Sequence, residues 1–222
     1  VDQPFDLTLE MVARTIPRMR RAGAQLVRIM SYAVREGADL MEAERFRRVR
    51  EIHRRLADAG LTPVHENCMN YGGMGWPFTL RLIEEVPGLK LCFDTGNPVF
   101  SDDRSQPEPR PKQSAWEFYR RVREHVAYVH VKDGVWDAAQ KKTCYRFPGE
   151  GDGDVRRILG DLLARGYDGG ISIEPHLGAV FHDPAAGKSL DAPAIYVAYG
   201  RRLEAMLRDL RAAARPATGT PA

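Results

Sequence analysis

The stretch LKLCFDTGN (residues 89–97) is an apolar run that ends on Asp94 and is followed at once by the turn residues Thr-Gly-Asn. Short apolar runs bounded by turn residues are typical of buried β-strands. Each such run here predicts a strand whose carboxyl end carries a side chain able to bind a metal ion. The other runs of this form are LTPVHEN (61–67) with Glu66, YVHVKD (128–133) with His130, and GISIEPH (170–176) with Glu174.

Helix-like stretches alternate with these strands along the chain. The first is predicted over about 8–22, with Thr8 as its N-cap, and the second over about 40–59. The apolar run AQLVRIM (24–30) lies between them and predicts a further strand, so that the sequence predicts five strands in all. Strands that alternate with helices indicate a parallel sheet.

The connections favour a barrel over a doubly wound sheet. A doubly wound sheet usually carries a glycine-rich phosphate turn after its first strand, whereas AQLVRIM is followed by SYAVREGAD (31–39), which has no such turn. In a parallel α/β barrel the carboxyl ends of all strands meet on the face that carries the active site. The four candidate ligands should therefore converge, although they are far apart in sequence.

The rest of the chain predicts more helices and two long loops. The Pro-rich stretch 98–113 predicts a mobile loop over the strand ends, and a second loop of about twenty residues is predicted from 134 to 153. We expect residues 1–214 to form one domain, a partial barrel, and residues 215–222 to form a disordered tail. The remaining helices are predicted near 78–86, over 114–126 with Ser114 as N-cap, over 155–166 and over about 192–211.

Composition disfavours several classes of protein. The chain has 222 residues, 43% of them hydrophobic, and a formal charge of +3 from 33 basic and 30 acidic side chains. Charges of both signs alternate along the helix-like stretches, which is typical of solvated faces rather than of nucleic-acid binding. No apolar run approaches about 18 residues, so we predict neither a membrane span nor a signal peptide. Three dispersed cysteines disfavour a disulfide scaffold and a thiolate zinc site, and they favour the cytoplasm.

Three carboxylates and one imidazole form a ligand set suited to a divalent cation. Mn²⁺, Mg²⁺ and Co²⁺ all accept oxygen-rich sites of this kind, and the sequence does not choose among them.

The ordered motifs HEN, FDTGN, HVKD and ISIEPH resemble those of the xylose-isomerase-like sugar phosphate isomerase/epimerase superfamily. Its members are TIM barrels with one divalent metal ion, and the resemblance extends from AQLVRIM to the last helix. It implies that the metal ligands are Glu66, Asp94, His130 and Glu174.

The resemblance also implies that part of the usual barrel is absent. In eight-stranded members these ligands stand on the last four strands, which makes AQLVRIM the fourth. We therefore expect an N-terminally truncated barrel of about five parallel strands with their helices. Such a sheet cannot close as an eight-stranded barrel does, and its open edge is an aggregation hazard. The sequence leaves open whether the chain forms a homo-oligomer.

The activity implied by the resemblance is isomerisation or epimerisation of a sugar or sugar phosphate. A divalent ion chelated by adjacent hydroxyl and carbonyl oxygens stabilises an enediolate. One carboxylate removes the proton α to the carbonyl, and a second carboxylate on the opposite face returns it. Glu66 and Glu174 match the proton-transfer pair of family epimerases. The partner is then a small sugar or polyol.

Five further side chains are predicted to contact substrate. Lys132 shares the face of its strand with His130, because side chains two residues apart on a strand point the same way. Asn97 stands where many relatives carry a histidine. The others are His176, Arg146 and Arg28.

Neighbouring residues are predicted to be structural. His65 should point away from Glu66, toward the helices, because successive side chains alternate along a strand. Asp133 should cap or turn the following loop. In GEGDGD (149–154) the glycines are predicted as turn residues and Asp154 as a helix N-cap.

Three other functions remain open at this stage. Inosose dehydratases use the same scaffold. An abasic-site endonuclease of the related class needs more histidine ligands, and Asn97 in place of histidine argues against it. A non-catalytic remnant would bind metal weakly or not at all.

Overall fold

Five parallel strands form the central sheet. The computed structural model describes residue 1 and residues 3–177 and 191–214. The strands are β1 (Leu26–Ile29), β2 (Thr62–Glu66), β3 (Lys90–Asp94), β4 (Val126–Val131), β5 (Asp133–Asp137), β6 (Lys142–Arg146) and β7 (Gly170–Ile173). The order of strands across the central sheet is β1-β2-β3-β4-β7.

Helices connect the parallel strands and pack on the sheet, which confirms the predicted half-barrel. Among the described residues β1 pairs only with β2 and β7 only with β4, so this part of the chain does not close into a ring. The helices are α1 (Phe5–Ala22), α2 (Glu42–Asp58), α3 (Trp76–Glu85), α4 (Asn97–Phe100), α5 (Ala115–Val122), α6 (Val155–Ala164) and α7 (Ala192–Ala214), with 3₁₀ turns at Tyr71–Met74 and Arg123–His125.

The register of the sheet aligns the ends of the strands. Asp94 on β3 lies opposite His130 on β4, and Glu66 on β2 lies opposite Cys92 on β3. Glu174 directly follows β7, and its backbone N–H donates to the carbonyl oxygen of Val131 at 2.9 Å. The sheet therefore brings the candidate ligands to one edge.

Two hydrophobic clusters hold the helices against the sheet. The buried residues of the N-terminal cluster lie under α1 to α3, and those of the C-terminal cluster lie under α5 to α7. Helix α3 belongs to both, because Leu82 is buried in the N-terminal cluster while Trp76, Leu80 and Ile83 pack against the C-terminal one. Helix α3 therefore packs against both clusters.

Three local predictions are wrong or incomplete. Helix α1 begins at Phe5 after Pro4, so Thr8 lies inside the helix and is not its N-cap. The region predicted as a loop from 134 to 153 contains an antiparallel hairpin of β5 and β6. Asp154 holds the position before α6 with φ 49°, but its side chain makes no capping hydrogen bond.

Other local predictions agree with the structure. Gly23 ends α1 with φ 65°, a left-handed conformation that glycine adopts without strain. The side chain of Ser114 accepts a hydrogen bond from the backbone N–H of Glu117, as an N-cap does. In the stretch 98–113, Asp102 pairs with Lys112; its mobility stays a prediction, and the predicted tail 215–222 lies outside the described residues.

No helix in the described ranges has the length and apolar character needed to cross a membrane.

Candidate metal centre

One buried cluster unites the four residues that end the apolar runs. Ligand atoms of all four lie within 4.8 Å of one another, at the carboxyl ends of β2, β3, β4 and β7. Glu66 and Asp94 are withdrawn from water, with side chains 3% and 0% exposed, whereas His130 and Glu174 are partly buried at 15% and 26%. The cluster consists of Glu66, Asp94, His130 and Glu174.

His130 lies between two of the carboxylates. Its Nδ1 is 2.8 Å from Oε1 of Glu66 and 2.9 Å from Oε1 of Glu174. Burial acts to lower the pKa of His130, but hydrogen bonds to Cys92, Glu174 and Glu66 outweigh it and raise the pKa to about 12. The hydrogen bond from His130, together with Lys132, holds the pKa of Glu174 well below its usual range. In the metal-free protein the charged ring therefore offsets carboxylate repulsion.

Two further cations contact the cluster. Nζ of Lys132 lies 2.9 Å from Oδ2 of Asp94 and 2.9 Å from Oε2 of Glu174. Burial acts to lower the pKa of Lys132, but these two carboxylates outweigh it and raise the pKa. Arg28 on β1 donates from Nη1 to Oε2 of Glu66 at 2.7 Å, and its side chain is 51% exposed.

Backbone and amide groups orient Asp94. Its Oδ1 accepts hydrogen bonds from the backbone N–H groups of Gly96 and Asn97 at 2.8 and 2.7 Å. The side chain of Asn67 binds the backbone of Asp94 on both sides, accepting from its N–H and donating to its carbonyl oxygen. Complete burial raises the pKa of Asp94, and Lys132 opposes that shift. These contacts leave Oδ2 directed at the cluster.

His65 is structural, as its place on the strand predicts. It is fully buried, and its Nε2 lies 2.9 Å from Oγ of Ser31. That hydroxyl donates to Asn70 and accepts from Gly72, so we assign the proton of the imidazole to Nε2. Burial lowers the pKa of His65 to about 4, which keeps the ring neutral.

Asp133 organises the loop that follows the hairpin. Its two carboxylate oxygens accept four backbone N–H groups at 2.7 to 3.2 Å. A Cβ at Gly151 would stand 2.4 Å from Oδ1 of Asp133, so the backbone can approach this closely only without a side chain. The four donors are Gly134, Gly149, Gly151 and Gly153.

The remaining predicted substrate contacts lie at the rim. His176 stacks on Tyr145 of β6, with ring centroids 4.9 Å apart, and its Nδ1 lies 3.0 Å from the backbone oxygen of Glu174. The side chain of Asn97 is half-buried beside Asp94 and makes no hydrogen bond with the part of the chain that the structure describes. Arg146 is exposed, and its one hydrogen bond within the described residues goes to the carbonyl oxygen of Tyr145, away from the cluster.

A cavity opens on the inner face of the sheet below the cluster. Its volume is about 570 Å³, and its wall includes Arg28, Val64, Cys92, Tyr128 and His130. The strand sequences account for this wall, because residues two apart on each strand face the same side.

The cluster fits a hard divalent cation. Its donors are carboxylate oxygens and one imidazole, the ligand types that Mn²⁺, Mg²⁺ and Co²⁺ accept. Two ligands of one ion stand at most about 4 to 5 Å apart, twice a metal–oxygen distance of roughly 2.1 to 2.4 Å. The spacing limit of 4.8 Å therefore suits a single ion held by all four residues.

The fold agrees with a comparison of the chain against known protein families. Residues 5–193 match the family described as Xylose isomerase-like TIM barrel. The chain belongs to this family. No curated protein matches the chain significantly in sequence.

Solved structures of the xylose isomerase-like barrels share the fold. A xylose isomerase-like TIM barrel protein from Mycobacterium smegmatis, in complex with magnesium, is 20% identical with a TM-score of 0.66; the match covers 95% of this chain and 69% of that one. A D-tagatose 3-epimerase-like protein is 19% identical with a TM-score of 0.66, and the match covers 95% of this chain and 72% of that one. The probable 3-DHS dehydratase from Bacillus anthracis is 18% identical with a TM-score of 0.65, and the match covers 92% of this chain and 72% of that one.

Two contributors to the site escape sequence analysis. Asn67 directly follows Glu66 in HEN, and that adjacency is a signal that could have marked it. Tyr145 offers no comparable signal, because its contact with His176 depends on where the β5–β6 hairpin folds.

Proposed function

We propose that the protein is a divalent-metal-dependent isomerase or epimerase that moves a proton α to a carbonyl of a sugar, sugar phosphate or related polyol. The observation that carries this proposal is the placement of Glu66 and Glu174 on one imidazole within a buried cluster of four ligands. A carboxylate on each side of a reacting carbon is what epimerisation requires. Family membership and an epimerase-like neighbour support it.

The proposed metal ligands are Glu66, Asp94, His130 and Glu174. When bound, Mn²⁺, Mg²⁺ or Co²⁺ would act as a Lewis acid on adjacent carbonyl and hydroxyl oxygens of the substrate. Asp94 is held for this task by the backbone of its own turn and by Asn67.

Glu174 is the proposed base that first removes the proton. Its side chain is 26% exposed, against 3% for Glu66, so an incoming substrate reaches it more easily. Its lowered pKa keeps it ionised near neutral pH, although a lowered pKa also makes a carboxylate a weaker base. Glu66 is the proposed partner on the opposite face, where it returns a proton to the other side of the carbon.

The rim residues are the proposed contacts for substrate oxygens. Lys132 and Arg28 already touch the cluster, and His176 and Asn97 flank it. Arg146 belongs to this set only if the hairpin turns inward when substrate binds.

Residues 1–214 are the proposed single domain. The free cysteines suit a reducing cytoplasm.

Solvent exchange in D₂O tests the proposal. Mn²⁺-loaded protein is incubated with a panel of ketoses and inososes, and NMR follows deuterium at the α carbon together with the epimer formed. Glu174→Gln should lower turnover about 10²- to 10⁴-fold, the usual contribution of a general base, while Mn²⁺ still binds. Glu150→Gln is the matched control, because Glu150 is exposed and pairs with Arg202 on α7. Near wild-type turnover in Glu174→Gln would sink the assignment of the base.

Dehydration is the second candidate reaction. It is favoured by the structural likeness to a probable dehydratase, and it begins with the same proton removal. The D₂O experiment separates the two reactions, because a dehydratase yields an unsaturated product and no epimer.

A further inference from the structure

Lys132 lies within the proposed metal centre, and separate contacts hold its side chain and its backbone in place. Its side chain is 8% exposed, and Nζ reaches Asp94 and Glu174 at 2.9 Å each. The hydroxyl of Thr95 binds the backbone of Lys132 twice, donating to its carbonyl oxygen at 2.7 Å and accepting from its N–H at 3.2 Å. A Cβ at Gly96 would stand 2.8 Å from Cγ of Lys132, so the aliphatic stem needs glycine there.

The ammonium and a metal ion would share the same two carboxylates. Asp94 and Glu174 are half of the ligand set, and both already neutralise Lys132. Like charges that share ligands in a buried site repel strongly, because the medium screens them poorly. Arg28 acts less, since its side chain is 51% exposed and pairs with one of the four cluster residues, Glu66.

We propose that Lys132 is a counter-cation that weakens metal binding and stabilises the cluster when no metal is bound. The inference rests on the proposed metal centre. With neutral His130, three carboxylates (−3), two cationic side chains (+2) and a divalent ion (+2) sum to +1. Lys132 thereby leaves the loaded centre able to accept one negative charge from a substrate.

Calorimetric titration with Mn²⁺ at fixed pH tests this inference. Lys132→Met, which keeps the stem and removes the charge, should lower the Kd for Mn²⁺ at least tenfold. Its metal-free melting temperature should fall, and Mn²⁺ should raise it by more than in the wild type. Lys132→Arg keeps the charge and should not tighten binding. If Lys132→Met does not fold, Lys132→Gln gives the same comparison with an N–H donor retained.

Lys112→Met is the matched control. Lys112 pairs with Asp102 and stands over the ring of Trp136, and neither contact involves the cluster. Lys112→Met removes the same charge as Lys132→Met and should leave the Kd for Mn²⁺ within twofold of the wild-type value. An unchanged or higher Kd in folded Lys132→Met and Lys132→Gln overturns the inference while the metal centre stands. Failure of the wild type to bind Mn²⁺ contradicts the metal centre itself, and the inference with it.

Discussion

His130 must serve two states that need different protonation of its ring. Between the carboxylates of Glu66 and Glu174 the metal-free protein favours a protonated ring, whereas a metal ligand must be neutral. The raised pKa of His130 means that the proton's contribution to stability is fully present below the ordinary value of 6.5 and is lost progressively as pH rises from there through about 12. Over the neutral range a metal ion must therefore displace a proton.

We predict that Mn²⁺ binding releases about one proton and that the Kd for Mn²⁺ falls about tenfold per unit rise in pH between pH 6 and 8. Calorimetry in two buffers of different ionisation enthalpy counts the proton. His53→Gln, on the distant helix α2, should leave the count unchanged. A binding enthalpy that does not depend on the buffer contradicts the prediction.

Sequence analysis named the four clustered residues because each ends an apolar run, which is a local signal. The ion pairs of Lys132 with Asp94 and Glu174 span 38 and 42 residues, and no local pattern encodes them. The place of Arg146 just before the glycine-rich loop predicts a contact with substrate. The hairpin instead leaves its side chain exposed.

At the scale of elements, the hairpin β5–β6 and the glycine-rich loop form one unit around Asp133. The carboxylate begins the hairpin and receives backbone donors from both ends of the insertion. A charged acceptor satisfies several N–H groups that would otherwise be buried without partners. This unit places Tyr145 against His176 at the rim of the site.

We predict that Asp133→Ala lowers the free energy of unfolding by about 2 to 4 kcal/mol, because it leaves buried N–H groups without an acceptor. Urea denaturation measures the change. Asp152→Ala is the control, since Asp152 is exposed in the same loop and its hydrogen bond within the described residues runs from its backbone N–H to Gly134. The substitution should change stability by less than about 0.5 kcal/mol. Equal stability of the two variants would show that the carboxylate does not hold the loop.

At the scale of the whole molecule, the two hydrophobic clusters share one sheet and helix α3. Leu56 is 1% exposed in the N-terminal cluster, while Trp76 and Trp116 pack against the C-terminal cluster. Because β2 and β3 are paired and α3 contacts both clusters, loss of one cluster removes support from the other. The described part of the chain should therefore unfold as one cooperative unit.

We predict that Leu56→Ala costs about 2 to 5 kcal/mol, the range for a buried leucine, and shifts the whole unfolding transition. Circular dichroism reports all helices, whereas tryptophan fluorescence reports mainly the C-terminal cluster. Both midpoints in urea should fall by the same amount. Leu7→Ala should move neither, because Leu7 is 54% exposed on α1. A shift in dichroism without a shift in fluorescence would mean that the clusters unfold separately.

Local patterns are enough to predict the alternation of strands and helices and the candidate ligands at four strand ends. Each such pattern is an apolar run, an acidic or imidazole side chain and a turn residue. The charge balance of the site, the hairpin over the rim and the glycine loop closed on Asp133 depend instead on the fold. Their partners lie far apart in sequence, and their energies depend on burial and distance, which exist only once the sheet has brought the strand ends together.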